Sequence, residues 1–159
     1  MPSEPRAGRT DLYLDDLKPG DRFEGGRVTM SEADIIGFAR QFDPQPFHID
    51  GEAAKKTHFG GVIASGFHTL AAGFRVLYDT HFITSANLGG VGIDELRWVR
   101  PVRAGDTLRS TGEIVEVSPS KSKPDRGTVR YAFTVLNQQD EKVLTGIFII
   151  VVKRRAASS

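Results

Sequence analysis

The sequence predicts an α+β domain whose antiparallel sheet wraps around one long helix. Helical periodicity is confined to the first half of the chain, and its longest run lies near residues 66 to 80. From Gly90 onward, four period-two or fully apolar runs succeed one another with only turn residues between them. Strands that follow one another through short turns pair antiparallel, and such a sheet buries its apolar face most simply on the preceding helix. With 159 residues the chain is the size of one domain and long enough to bury a real core.

Residues 1 to 11 are polar with Pro and Gly and read as a flexible lead, so the domain is expected over 12 to 153, with 154 to 159 a flexible tail. LKPGDRF reads as a turn entering a short strand. Ser31, with Asp34 three residues later, opens a helix in which Ile35, Phe38, Ala39 and Phe42 recur at helical spacing, which predicts a helix over about 32 to 42. FDPQPFHIDG follows at residues 42 to 51, and its two prolines favour extended rather than helical geometry. GEAAKKT adds one further helical turn. After the breaker Gly60-Gly61, the residues Phe67, Leu70, Ala71, Phe74, Leu77 and Tyr78 mark the long helix. Its small middle, Ala71-Ala72-Gly73, lets another element come close to the backbone. The strands are GIDELRWVR, DTLRSTGEIVEV, GTVRYAFTVLN and KVLTGIFIIVV, with turns at VRPVRAGD and SPSKSKPDRG and a hairpin at NQQDE. Both alternating sets of the last strand are apolar, so both of its faces should be covered, one of them by a partner beyond the helix.

Composition excludes several function classes. With 21 basic against 20 acidic residues and no long block of one sign, the chain lacks the electrostatic footprint of a nucleic-acid binder. It has no cysteine, so disulfides, thiolate nucleophiles and Cys-ligated metal sites are ruled out. MPSEPRAGRT contains no apolar signal segment, and IFIIVV is too short to span a bilayer. A soluble, cytoplasmic protein with no membrane partner is expected.

Within FDPQPFHIDG, Asp43 and His48 place a carboxylate and an imidazole on one stiffened loop, where they can act together on a water molecule as general acid and base. Ser65, just before the long helix, reads as its N-cap. The first N–H groups of that helix, those of Gly66 and its neighbour, then lack intrahelical acceptors and point outward with the positive end of the dipole, as an oxyanion site requires. IASGF lacks the G-x-S-x-G pattern of a serine nucleophile. His58, His68 and His81 show no metal-ligand spacing, so no metal is expected. GGVG has no following Lys and is no phosphate loop. Asp50 reads as a loop-ordering residue, and Arg97, Arg100 and Arg103 as a solvated strand face that could meet the phosphates of a nucleotide.

FARQFDPQPFHID, then FGGVIASGFHT, then RPVRAGD resemble the MaoC-like dehydratase family that includes the (R)-specific enoyl-CoA hydratases, over about residues 13 to 153. Asp43, Pro46, His48 and Asp50 match that family's motif, while Phe42 and Gln45 stand where it usually has Gly and Asn. The resemblance implies a single hot-dog domain and an acyl-CoA substrate, and since nothing in the chain offers a metal cage, a dinucleotide fold or a flavin site, no separate cofactor is expected. It also implies hydration of a trans-2-enoyl-CoA to the (R)-3-hydroxyacyl-CoA, or the reverse dehydration. Asp43 and His48 would then be the acid–base pair, and the N–H of Gly66 would receive the thioester carbonyl. Gln45, Ser65 and Phe67 would lie against substrate. The apolar last strand and the fold together lead us to expect a homodimer, or a higher oligomer. A hot-dog thioesterase or a non-catalytic acyl-CoA-binding partner subunit would share the fold. The absence of any acidic residue from Phe67 to Tyr78 disfavours the thioesterase.

Overall fold

A computed structural model describes residues 12–80 and 85–156. The expected lead and His81 lie outside the described residues. In chain order the elements are a 3-10 turn (Leu14–Asp16), β1 (Arg22–Thr29), α1 (Glu32–Phe42), the short α2 (Pro46–Ile49) and α3 (Gly51–Lys55), and α4 (Gly66–Tyr78). The sheet strands β2 (Asn87–Trp98), β3 (Thr107–Pro119), β4 (Arg126–Leu136) and β5 (Lys142–Lys153) follow. All neighbours pair antiparallel in the order β1-β3-β4-β5-β2. This is the expected α+β arrangement, with α4 lying against β1 and β3.

The inner face of the sheet carries Leu108 and Ile114 on β3, Val129, Tyr131, Phe133 and Val135 on β4, and Leu144, Ile150 and Val152 on β5, all buried. The helix comes unusually close to this face. A Cβ on Gly73 would sit 2.5 Å from Val135 Cγ2, and one on Gly25 of β1 would sit 2.6 Å from the Val76 carbonyl oxygen. Gly73 is therefore the residue that admits the sheet, as its small neighbourhood suggested. Ser110 adds a buried hydrogen bond by donating its hydroxyl to the Gly73 carbonyl at 2.7 Å.

Two features differ from the sequence expectation. The Asp–His stretch is not extended throughout, because Pro46–Ile49 forms a helical turn. Pro46 stands at its first position, where a missing N–H and a fixed φ favour a helix start. On α4 the buried face is Thr69, Gly73, Val76 and Leu77, whereas Phe67, Ala71, Phe74 and Tyr78 form an exposed stripe. Period alone identified the helix but not the side that faces inward, since the outward side is the more apolar one. On β5, where a partner beyond the helix is expected to cover one face, the outward Ile147, Ile149 and Val151 are half-buried in the single chain. Arg130, opposite Ile149, lays its stem across this face and pairs with Asp94 and Glu116.

At the far end, Arg155 donates its backbone N–H to Asp15 at 2.7 Å, pairs with Asp16 and lies over the Tyr13 ring. These contacts tie the first residues of the expected tail to the 3-10 turn.

Candidate active site

Asp43 caps the C-terminus of α1, donating its N–H to the Ala39 carbonyl, and α2 begins three residues later. The Gln45 N–H returns to the Asp43 carbonyl at 2.8 Å, and the His48 N–H returns to Gln45 at 2.9 Å. Two tight turns thus bring the ends of the motif together. Ile63 then fixes His48 from the other side. Its N–H donates to the Phe47 carbonyl, and its own carbonyl accepts from His48 Nδ1 at 2.7 Å. Because a carbonyl only accepts, Nδ1 carries the hydrogen and Nε2 is turned toward Asp43. Asp50 accepts from the Glu52 and Ala53 N–H groups and N-caps α3, the loop-ordering role expected of it.

Asp43 Oδ2 and His48 Nε2 stand 3.2 Å apart. Ser65 Oγ donates to the same Oδ2 at 2.7 Å, and Gln45 Nε2 donates to Oδ1 at 2.7 Å. Burial raises the Asp43 carboxyl, but the bonds from Gln45 and Ser65 and the nearby imidazole outweigh it and hold the pKa below the ordinary aspartate value. The Asp–His contact is attractive only when a proton lies between the two atoms, on Nε2 or on Oδ2. The separation also leaves no room for a water between them, so a water activated by both must sit on their open side.

Ser65 is the N-cap of α4, as expected, and its Oγ also accepts the Phe67 N–H at 3.3 Å. This takes one of the two N–H groups expected to be free. The Gly66 N–H remains without an intrahelical acceptor. Asp43, His48 and Gly66 all line one cavity of about 370 Å³, with Gln45 and Phe67 also in its wall. The opposite wall is the run from Trp98 to Val102. Two backbone links hold this run in place, from the Ala64 N–H to the Val102 carbonyl and between Ile63 and Arg103.

Of the other sequence candidates, His68 stacks on Phe38 with ring centroids 4.6 Å apart and is absent from the cavity lining. Burial lowers its pKa. Arg100 reaches the cavity rim but is paired with Glu141 at 3.3 Å. Among the described residues, no three His, Asp or Glu side chains gather as a metal cage would require. No helix among them is long and apolar enough to cross a membrane.

Two residues of the site were not legible in the sequence. Trp98 lies directly on Gly66, where a Cβ would run into the indole atoms Nε1, Cε2 and Cδ1. Near-equal approach of three ring atoms means that the indole meets the glycine with its face. Phe67 packs edge-on against the same indole at 5.8 Å. Trp98 is the single tryptophan of the chain, 32 positions after Gly66 by subtraction, and no local pattern joins the two. Thr69, the second, stands four residues after Ser65 and so on the same face of α4, a spacing that could have drawn attention to it.

The model for the MaoC like domain matches residues 17–136. The crystal structure of the MaoC-like dehydratase from Rhodospirillum rubrum superposes with a TM-score of 0.86 at 42% identity, covering 92% of this chain and 99% of that one. YdeM of Bacillus subtilis, an uncharacterised protein, is 31% identical over 90% of this chain and its own full length. The 3-hydroxybutyryl-CoA dehydratase of Methylorubrum extorquens is 31% identical over 91% of this chain and 86% of its own. With a family model spanning most of the chain and the same fold in its relatives, this protein belongs to the MaoC-like dehydratase family and has its hot-dog fold.

Proposed function

We propose that the protein hydrates trans-2-enoyl-CoA thioesters to (R)-3-hydroxyacyl-CoA, or runs the reverse dehydration. The observation that carries this reading is the Asp43–His48 pair opening onto the same cavity as the unclaimed Gly66 N–H. The stereochemistry follows the family resemblance, and the name of the Methylorubrum extorquens relative supports the reaction class.

In this mechanism the thioester carbonyl accepts from Gly66 N–H, where the helix dipole favours the negative charge that develops on oxygen. Water on the open side of Asp43 and His48 attacks the β-carbon and gives its proton to the pair. The proton already held by the pair passes to the α-carbon as the enolate collapses. One water has then been added across the double bond, and the pair is restored. No redox carrier is required, because neither electrons nor a hydride change hands.

An assay of purified protein with crotonyl-CoA tests the reading. Loss of the conjugated enoyl absorbance without release of free thiol is the expected result. Thiol release would identify a thioesterase, and binding without either change would identify a non-catalytic subunit. We further propose that the functional form is a homodimer assembled on the exposed stripe of α4 and the adjoining edge strand β2, where Leu88 and Val91 are also exposed.

A further inference from the structure

The cavity continues past the catalytic pair along α4, and its polar groups are unequally employed. Asp43, Gln45 and His48 bond to one another, and Arg100 pairs with Glu141. Thr69 also lines the cavity and is only 2% exposed. Its backbone N–H closes the helix onto Ser65, but its hydroxyl has no hydrogen-bond partner among the described residues. Helical threonines ordinarily turn the hydroxyl back to a carbonyl of the preceding turn. Thr69 does not, although the homologous option is used by Thr57, which donates to the Ala54 carbonyl at 2.6 Å.

The Thr69 residue is buried but its hydroxyl opens onto the cavity, so an alkyl chain that displaces water there leaves the hydroxyl unpaired, whereas a ligand oxygen completes the bond. The surrounding wall is made of Phe59, Ile63, Ala64, Phe67 and Val102, with Trp98 closing the side at Gly66. A carboxylate would be desolvated there without a free cation to meet it, since the one arginine of the lining is already paired. A neutral oxygen fits.

Position sets where on the substrate that oxygen belongs. Thr69 lies one helical turn beyond Ser65, about 5 Å along the axis, a distance that an extended acyl chain covers in roughly four carbons. Resting on the hydratase reading of the site, we infer that Thr69 is a specificity residue that selects enoyl thioesters whose chain carries a neutral hydroxyl or carbonyl oxygen about four carbons beyond the thioester carbonyl. A site built to bond such an oxygen discriminates against the plain alkyl analogue, because that analogue leaves the Thr69 hydroxyl unpaired.

The test compares two pairs of ligands. Initial rates would be measured with trans-2-hexenoyl-CoA and 5-hydroxy-trans-2-hexenoyl-CoA. Dissociation constants would be measured by calorimetry with the saturated hexanoyl-CoA and 5-hydroxyhexanoyl-CoA, which cannot react. The wild type is expected to favour the hydroxylated member of each pair about tenfold. Thr69→Val, which keeps the shape and removes the hydroxyl, should bring both ratios to near one, and Thr69→Ser should retain the preference. Equal treatment of both members by the wild type overturns the inference without any variant being needed, as does a preference that survives in Thr69→Val. The calorimetric arm separates this inference from the reaction itself. A protein that binds with the expected preference yet hydrates neither enoyl thioester would remove the proposed function and leave the Thr69 assignment in place. An active hydratase without the preference would do the reverse.

Discussion

The indole of Trp98 rests on the α-carbon of Gly66, so closely that any side chain at position 66 would lie inside it. This contact makes Gly66 a glycine for a reason other than substrate access, and it joins the edge strand β2 to the first turn of α4. Gly66→Ala should therefore destabilise the fold by about 1 to 3 kcal/mol, the scale of an overpacked contact. The loss should be smaller when Trp98→Ala is present as well, because the two residues compete for one space. Urea denaturation of the two single variants and the double variant measures this coupling. Additive effects would show that the contact carries no energy.

The Asp43–His48 pair makes a second, kinetic prediction. Asp43→Asn and His48→Gln should each lower kcat by about a hundredfold or more, the usual scale for a positioned acid or base. The double variant should be little worse than either single one, since both residues act as one unit in the same water addition. Near-full crotonyl-CoA hydration by both single variants, with circular dichroism unchanged, would sink the mechanism.

The bonds to the Asp43 carboxylate set a pH dependence. Gln45 and Ser65 both donate to the charged form, so removing either one must raise the Asp43 pKa toward the ordinary value. In Gln45→Ala a carbon-detected titration of Asp43 should move upward, and the acid limb of kcat/KM should move with it. Stability follows the same sign. A carboxyl whose folded pKa is depressed contributes stability above its unfolded pKa, about 3.9, and loses it as pH falls through the lower folded value. The wild type should thus outlast Gln45→Ala by the largest margin above about pH 4. The margin should vanish in stronger acid. An unchanged titration in Gln45→Ala would mean that the amide is a bystander.

How much of this was written locally in the sequence differs from residue to residue. Ser31 and Ser65 announced both main helices, because a cap is a short-range feature. The strands announced themselves through turn residues and alternation. The turn at Pro46 was hidden because proline forbids a helix interior yet favours a helix start, and only the conformation of Gln45 decides between the two. The inward face of α4 was hidden because Thr69 and Gly73 fill it. Small and polar residues give no apolar signal, even where they permit the closest packing. Trp98 over Gly66 and the free hydroxyl of Thr69 are tertiary facts, since each depends on where a distant segment lies.

The proposed chemistry adds one water through two proton transfers, and it makes no use of a metal ion. Exhaustive dialysis against EDTA should leave crotonyl-CoA hydration unchanged. Loss of turnover that returns with zinc or magnesium would show that the imidazole of His48 serves a metal instead of a water.

The last prediction concerns assembly. Phe67, Phe74 and Tyr78 on α4, with Leu88 and Val91 on β2, are each more than 40% exposed. Phe74 and Tyr78 line one groove together with Asn87 and Gly90, so the helix stripe and the edge strand form a continuous surface. An apolar surface of that extent is unfavourable in water and suits a self-complementary two-fold contact. Light scattering at micromolar concentration should report twice the 17.4 kDa chain mass. Val91, 67% exposed at a bulge of β2, offers a variant that leaves the core intact. Val91→Lys should keep the circular dichroism spectrum and shift the mass toward the monomer, since a charge cannot be buried there without a partner. A wild-type monomer would remove the dimer. A Val91→Lys dimer as tight as the wild type would move the interface away from β2.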